Sequence, residues 1–206
     1  MKLKICGLNP IRDVQLCIDL KVDYLGFVFY EKSPRNLNLK EIKTLKKYNK
    51  KKSSFVAVSI NPSNDFIKKN IIKNFDYIQL HGDENRDRIN EIKNLGIKII
   101  KTIKVKEKKD IALYKNYEDI VDLILFDSTS MEKSQSIPRD LLSYLPKSGK
   151  FGLAGAINSA NVLECIQLGF NFLDLSSGLE RENLKGYKDH LKIKNFINKI
   201  NELKNY

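Results

Sequence analysis

The chain has 206 residues, 37 of them Lys or Arg against 25 Asp or Glu, for a formal net charge of +12. That length suits one domain, and no Pro-, Gly- or Ser-rich stretch marks a linker, so residues 1–206 are expected to form a single unit. The longest apolar stretch, residues 24–30, is far too short for a bilayer, and no basic segment followed by a long apolar run opens the chain; no membrane partner and no export are expected, which leaves the cytoplasm.

The first apolar run, residues 3–6, ends at Cys6 and is followed by Gly7, which permits a sharp turn. Asn9-Pro10 then offers a cap and a first-turn proline for a helix over 11–20, with Cys17 on its apolar face. A second run, 24–29, leads into Ser33-Pro34-Arg35 and a helix over 39–48. The third run, 55–60, precedes Asn61-Pro62-Ser63, another cap, and a helix over 64–73. The fourth, 77–80, carries Gln79 and is followed by His81, then by a helix over 84–95. The fifth, 97–105, precedes a helix over 108–117. The sixth, 123–126, ends at Asp127, and a glycine-free segment, 128–138, leads to a helix over 139–145. The seventh, 151–154, runs into Gly155 and Ala156, with Asn158-Ser159 capping a helix over 160–168 that holds Cys165. The eighth, 172–175, ends at Ser176-Ser177-Gly178. A last helix over 191–203 shows Leu191, Ile193, Phe196, Ile197 and Ile200 on one side and is expected to close the structure against the first.

A short buried strand followed by a helix, eight times over, is the pattern of a (β/α)8 barrel. In such barrels chemistry sits where strands end, which makes Cys6, Asp127 and Ser176 candidates and puts Gln79 and His81 at the mouth. Small residues after strands seven and eight, Gly155, Ala156, Ser176, Ser177 and Gly178, leave backbone N–H groups exposed beside a helix N-terminus, where barrel enzymes often hold phosphate. A thiol and a carboxyl on strands one and six suit proton removal at one atom and donation at another, with no metal and no cofactor called for. The three cysteines have no paired or metal-like spacing. The basic excess contains only six arginines, and the lysine runs 46–52 and 104–109 read as solvated faces, so no nucleic-acid partner is expected; a diffuse positive field would instead attract an anionic small molecule. Local pattern alone stops at a phosphate-binding isomerase or lyase.

Lys4-Ile5-Cys6-Gly7, Gly26-Phe27-Val28-Phe29 with Ser33-Pro34-Arg35, Ile78 through Glu84, Phe126-Asp127-Ser128, Leu153-Ala154-Gly155 and Asp174 through Glu180 together resemble the phosphoribosylanthranilate isomerase family, in its order and across the whole chain. The resemblance implies an Amadori rearrangement of N-(5-phosphoribosyl)anthranilate in tryptophan biosynthesis, with Asp127 as general acid on the furanose oxygen, Cys6 as general base at ribose C2, Arg35 on the anthranilate carboxylate, an anionic phosphosugar as ligand, and a monomer or homodimer. His81 is given no proton-transfer role, and His190 is read as structural. Three departures stand out: segment 128–138 lacks the glycines usual after the sixth-strand aspartate, Ala156 replaces a second glycine, and Lys185-Gly186 stands where proline-glycine is usual. Another phosphate-binding barrel isomerase or epimerase, or a catalytically silent basic barrel, remains the alternative. Strand parity adds one structural expectation: if Cys6 faces the mouth, Lys4 faces the interior below it, with Asp174 of the neighbouring eighth strand as its partner.

Overall fold

The computed structural model describes residues 1–128, 136–147 and 149–204. Eight parallel strands close into a barrel in sequential order, so each strand pairs with the next and the eighth returns to the first. In chain order the elements are β1 (Lys2–Cys6), α1 (Val14–Asp19), β2 (Tyr24–Phe29), α2 (Ile42–Leu45), β3 (Ser54–Ser59), α3 (Asn64–Phe66), β4 (Tyr77–Leu80), α4 (Arg86–Lys93), β5 (Lys98–Val105), α5 (Lys108–Ile111), β6 (Leu123–Ser128), α6 (Arg139–Leu142), β7 (Phe151–Leu153), α7 (Val162–Gln167), β8 (Phe172–Leu175), β9 (Glu180–Arg181), β10 (Leu184–Lys188) and α8 (His190–Lys204). All eight barrel strands lie within the apolar runs or within two residues of them.

The strands bury both faces, as β-branched and aromatic residues flanked by helices should. Inward side chains, among them Cys6, Tyr24, Val56, Ile100, Leu125 and Phe172, fill the barrel, while Ile5, Phe27, Ile78, Ile99 and Phe126 pack outward under the helices. Alternation along each strand therefore decides which residues can reach the mouth.

Apart from α8, which exceeds the expected 191–203, the α-helical segments are shorter than their periodicity suggested, and three of them are extended by 3-10 or π turns, at 39–41, 67–71 and 112–116. Asn9 does not cap a helix at residue 11; its side chain accepts from the N–H groups of Ile11 and Arg12 in a local turn, and α1 begins only at Val14. Asn158 behaves likewise, accepting from Ala160 ahead of α7. Asparagine bonds nearby backbone in turns as readily as in caps, so the sequence signal is the same for both. Ser63, by contrast, does cap α3 by accepting from Phe66. In α8 Ile193, Phe196, Ile197 and Ile200 are buried as expected, but Leu191 is 66% exposed and lies off that face. His190, the first residue of α8, meets the buried Asp13 just before α1 at 3.0 Å, which ties the last helix to the first. The antiparallel pair β9–β10 was not expected at all.

Candidate active site

Parity places the reacting candidates together. Cys6 shares the interior face with Lys4 on β1, and Asp127 shares it with Leu123 and Leu125 on β6. Lys4 pairs in register with Asp174, and its ammonium meets Asp174 Oδ2 at 2.7 Å with the lysine wholly buried. The strand-parity expectation is thus met, and the pair forms a charged floor that acts on both Cys6 and Asp127.

The titration of the two candidates follows from that floor. Burial raises the Asp127 carboxyl to about 7, the Asp174 charge adds to it, and the bond from the Ser128 N–H together with Lys4 and Lys104 only partly offsets them. Cys6 is also raised, first by burial; Lys4 opposes this, Asp174 adds to it and Lys188 opposes it. A solvated thiol, with an ordinary value of about 8.5, would need only modest activation to act as a base; this buried one needs more. Burial works against the Lys4 ammonium, yet the Asp174 carboxylate and Cys6 more than compensate and leave it raised. His81 is lowered to about 4 by burial and then by Lys104, Lys4 and Lys101, so it is neutral at pH 7 and a poor proton donor.

Other candidates occupy more specific places than the sequence could say. Gln79 is 2% exposed and donates to Thr102 Oγ1 at 3.1 Å, so it belongs to the floor rather than the open mouth, while His81 is half-buried above it. Lys104 corrects the reading of run 104–109 as wholly solvent-facing. It pairs in register with Asp127 on the same inward face, whereas Lys106, Lys108 and Lys109 are exposed. Position within the strand, not the charge run, carried that signal.

The turns after β7 and β8 pack backbone on backbone: a Cβ on Gly178 would lie 2.3 Å from the Ile157 carbonyl oxygen. Gly155 and Ala156 both have positive φ, 99° and 50°, so Ala156 keeps the conformation a glycine would favour at that position. The Ser176 hydroxyl donates to the Cys6 carbonyl at 3.2 Å, which commits this side chain to the β1 turn. The expected helix-dipole contribution is small, because β8 is followed by a single 3-10 turn, Ser177–Leu179, and α7 starts only at Val162. Cys17 and Cys165 are buried free thiols, as expected. Segment 128–138 lies largely outside the described residues, since 129–135 are not among them.

Two groups of buried charge escaped the sequence reading. Lys101 donates to Glu84 Oε2 and the Gly82 carbonyl at 2.7 and 2.8 Å, behind the barrel wall; a lysine inside an apolar run was the available signal. Glu180 and Lys188 of the β9–β10 pair are joined at 3.1 Å, and Glu180 also holds Arg35. Among the described residues no helix is long and apolar enough to cross a membrane.

Residues 3–199 match the family model described as N-(5'phosphoribosyl)anthranilate (PRA) isomerase. Proteins named N-(5'-phosphoribosyl)anthranilate isomerase from Aquifex aeolicus and Petrotoga mobilis are 37% and 35% identical to it. The Aquifex alignment covers 96% of this chain and 97% of the relative; the Petrotoga alignment covers 99% of each. A crystal structure of phosphoribosyl anthranilate isomerase with reduced 1-(o-carboxyphenylamino)-1-deoxyribulose 5-phosphate superposes with a TM-score of 0.80 at 26% identity, over 98% of this chain and 99% of that one.

Proposed function

We infer the function from one premise: the chain belongs to the N-(5'-phosphoribosyl)anthranilate isomerase family. It is an isomerase of tryptophan biosynthesis that converts N-(5-phosphoribosyl)anthranilate to 1-(2-carboxyphenylamino)-1-deoxyribulose 5-phosphate, and its ligand is a small phosphosugar.

The roles of individual residues are our proposal. Asp127 gives its proton to the furanose ring oxygen as the C1–O bond breaks, leaving a protonated imine. Cys6, as thiolate, removes the proton from C2, and the resulting enolamine tautomerises to the ketone. The observation that carries this assignment is the Asp127 carboxyl raised to about 7, which keeps a proton available where a solvated aspartate would have lost it. Because burial raises Cys6, the thiolate is the minority form, its proton given up to solvent before the substrate reacts. Once the ring has opened, the imine cation beside it stabilises that thiolate while it takes the C2 proton. Arg35 takes the anthranilate carboxylate through its guanidinium fork. The backbone N–H groups around Gly155, Ala156, Ser177 and Gly178 take the phosphate, and His81 shapes the wall opposite, above Gln79 in the floor. Lys104 adds a positive charge at the same mouth.

The decisive experiment is turnover: the fluorescence of phosphoribosylanthranilate should fall on addition of the protein with no added cofactor. Cys6→Ala should slow it by roughly 10²- to 10⁴-fold, the usual worth of a positioned proton-transfer group. A variant of near-full activity would remove Cys6 from the mechanism.

A further inference from the structure

Arg35 is not a free surface arginine. Its Nε donates to Glu180 Oε1 at 2.6 Å and its Nη2 to Glu180 Oε2 at 2.9 Å, a side-on bidentate pair. Glu180 is buried, and so is Lys188, whose ammonium meets Glu180 Oε1 at 3.1 Å and the Ser176 carbonyl oxygen at 3.0 Å. The stem and backbone of Arg35 are fixed as well. A Cβ on Gly7 would lie 2.5 Å from Arg35 Cδ, and one on Gly186, in β10, 2.3 Å from the Pro34 carbonyl oxygen, so both contacts require glycine. The Arg35 N–H is taken by Ser33 Oγ at 3.1 Å. Two of the five guanidinium N–H groups are thus used, and among the described residues the other three have no partner; those on Nη1 and Nη2 form the end-on fork that matches a carboxylate.

We propose that Glu180 is a positioning residue: by occupying the Nε edge of Arg35 it presents the Nη1/Nη2 fork to the substrate's anthranilate carboxylate, and Lys188 ties this clamp to the turn after β8. The proposal rests on Arg35 as the carboxylate-binding residue. It gives the β9–β10 pair a purpose: it links the two anionic ends of one substrate through a single chain of bonds, carboxylate to Arg35 to Glu180 to Lys188 to the Ser176 backbone. A guanidinium without Glu180 keeps its charge and loses its direction.

The test is calorimetric titration of two ligands, the reduced product analogue, which carries the carboxylate, and ribulose 5-phosphate, which lacks it. Glu180→Gln should weaken the first by about 10- to 100-fold and the second by less than about twofold, with KM rising more than kcat falls and Glu180→Asp recovering part of the loss. Equal weakening of both ligands, or none of either, overturns the proposal. Glu180→Gln leaves a buried ammonium unpaired, so the double variant Glu180→Gln/Lys188→Met is read in the same way should the single one not fold. Arg35→Met separates the two levels. If it leaves the preference for the carboxylate-bearing ligand intact, the reading of Arg35 fails; if it abolishes that preference and the Glu180 variants do not alter it, only the role of Glu180 fails.

Discussion

Asp127 and Cys6 must work in the protonation states least favoured for the pair, the carboxyl with its proton and the thiol without. When two groups must hold opposite protonation states the pH profile reports two apparent values, so kcat/KM should be bell-shaped. Its acidic limb should lie near pH 7, set by Asp127, and its alkaline limb above the ordinary thiol value of about 8.5, set by Cys6. A flat profile from pH 5 to 7 would contradict the assignment of Asp127. The same residue makes a stability prediction. A carboxyl whose pKa rises on folding binds more protons folded than unfolded, so its contribution is full below the unfolded value and is lost as pH climbs through the folded one. For Asp127 that window runs from about 4 to about 7. Asp127→Asn should therefore be more stable than the parent at pH 8, by about 1–2 kcal/mol once water at the open mouth is allowed for, with the gain vanishing near pH 4. Urea unfolding at the two pH values measures it, and an equal gain at both would mean that titration is not the cause.

Strand order decides which charges can be buried. Lys4 and Asp174 come from β1 and β8, 170 positions apart in sequence, and barrel closure makes them neighbours. Such a pair need not add stability, because desolvating two ions consumes most of what their attraction returns. Breaking it is another matter: Lys4→Met alone should cost about 3–5 kcal/mol, while Lys4→Met/Asp174→Leu should cost much less. Denaturant midpoints for both variants decide this, and additive losses would show that the two residues do not depend on each other. This pair was legible in the sequence because it follows from two rules, alternation within a strand and adjacency of the first and last strands. The clamp on Arg35 was not legible, since Glu180 lies 145 positions away in a short antiparallel pair whose charged residues carry no periodic signal. Lys104 and Lys101 were hidden differently: one stood in a lysine run and the other in an apolar run, and only the strand's own alternation sends the first to the mouth and the second behind the wall. Cys6 and Asp127 could be named because they close strands one and six, where barrel chemistry sits, and Arg35 because its loop resembles the family's. How burial shifts Cys6 upward could not be read, because it depends on side chains from β1, β8 and β10 together.

At the scale of the whole molecule the charge of +12 has a use that does not require a macromolecular partner. The substrate carries a phosphate and a carboxylate, and the mouth that receives it holds Lys104 and Arg35. A positive field of this kind raises the encounter rate with an anion and is screened as ionic strength rises, over a Debye length that shrinks from about 30 Å at 0.01 M to about 8 Å at 0.15 M. Lysines scattered over the helices then contribute to capture only at low salt, while the buried pairs beneath the site are barely screened. It follows that sodium chloride should act on association rather than on chemistry. Across that range kcat/KM should fall by about 3- to 10-fold, with kcat changing by less than about twofold. Lys104→Met, at the mouth, should remove more of the salt dependence than Lys46→Met on the far outer surface, because screening leaves only the nearer charge effective. Initial rates at four salt concentrations for the three proteins would measure this, and a kcat/KM independent of salt would mean that the basic surface plays no part in capturing substrate.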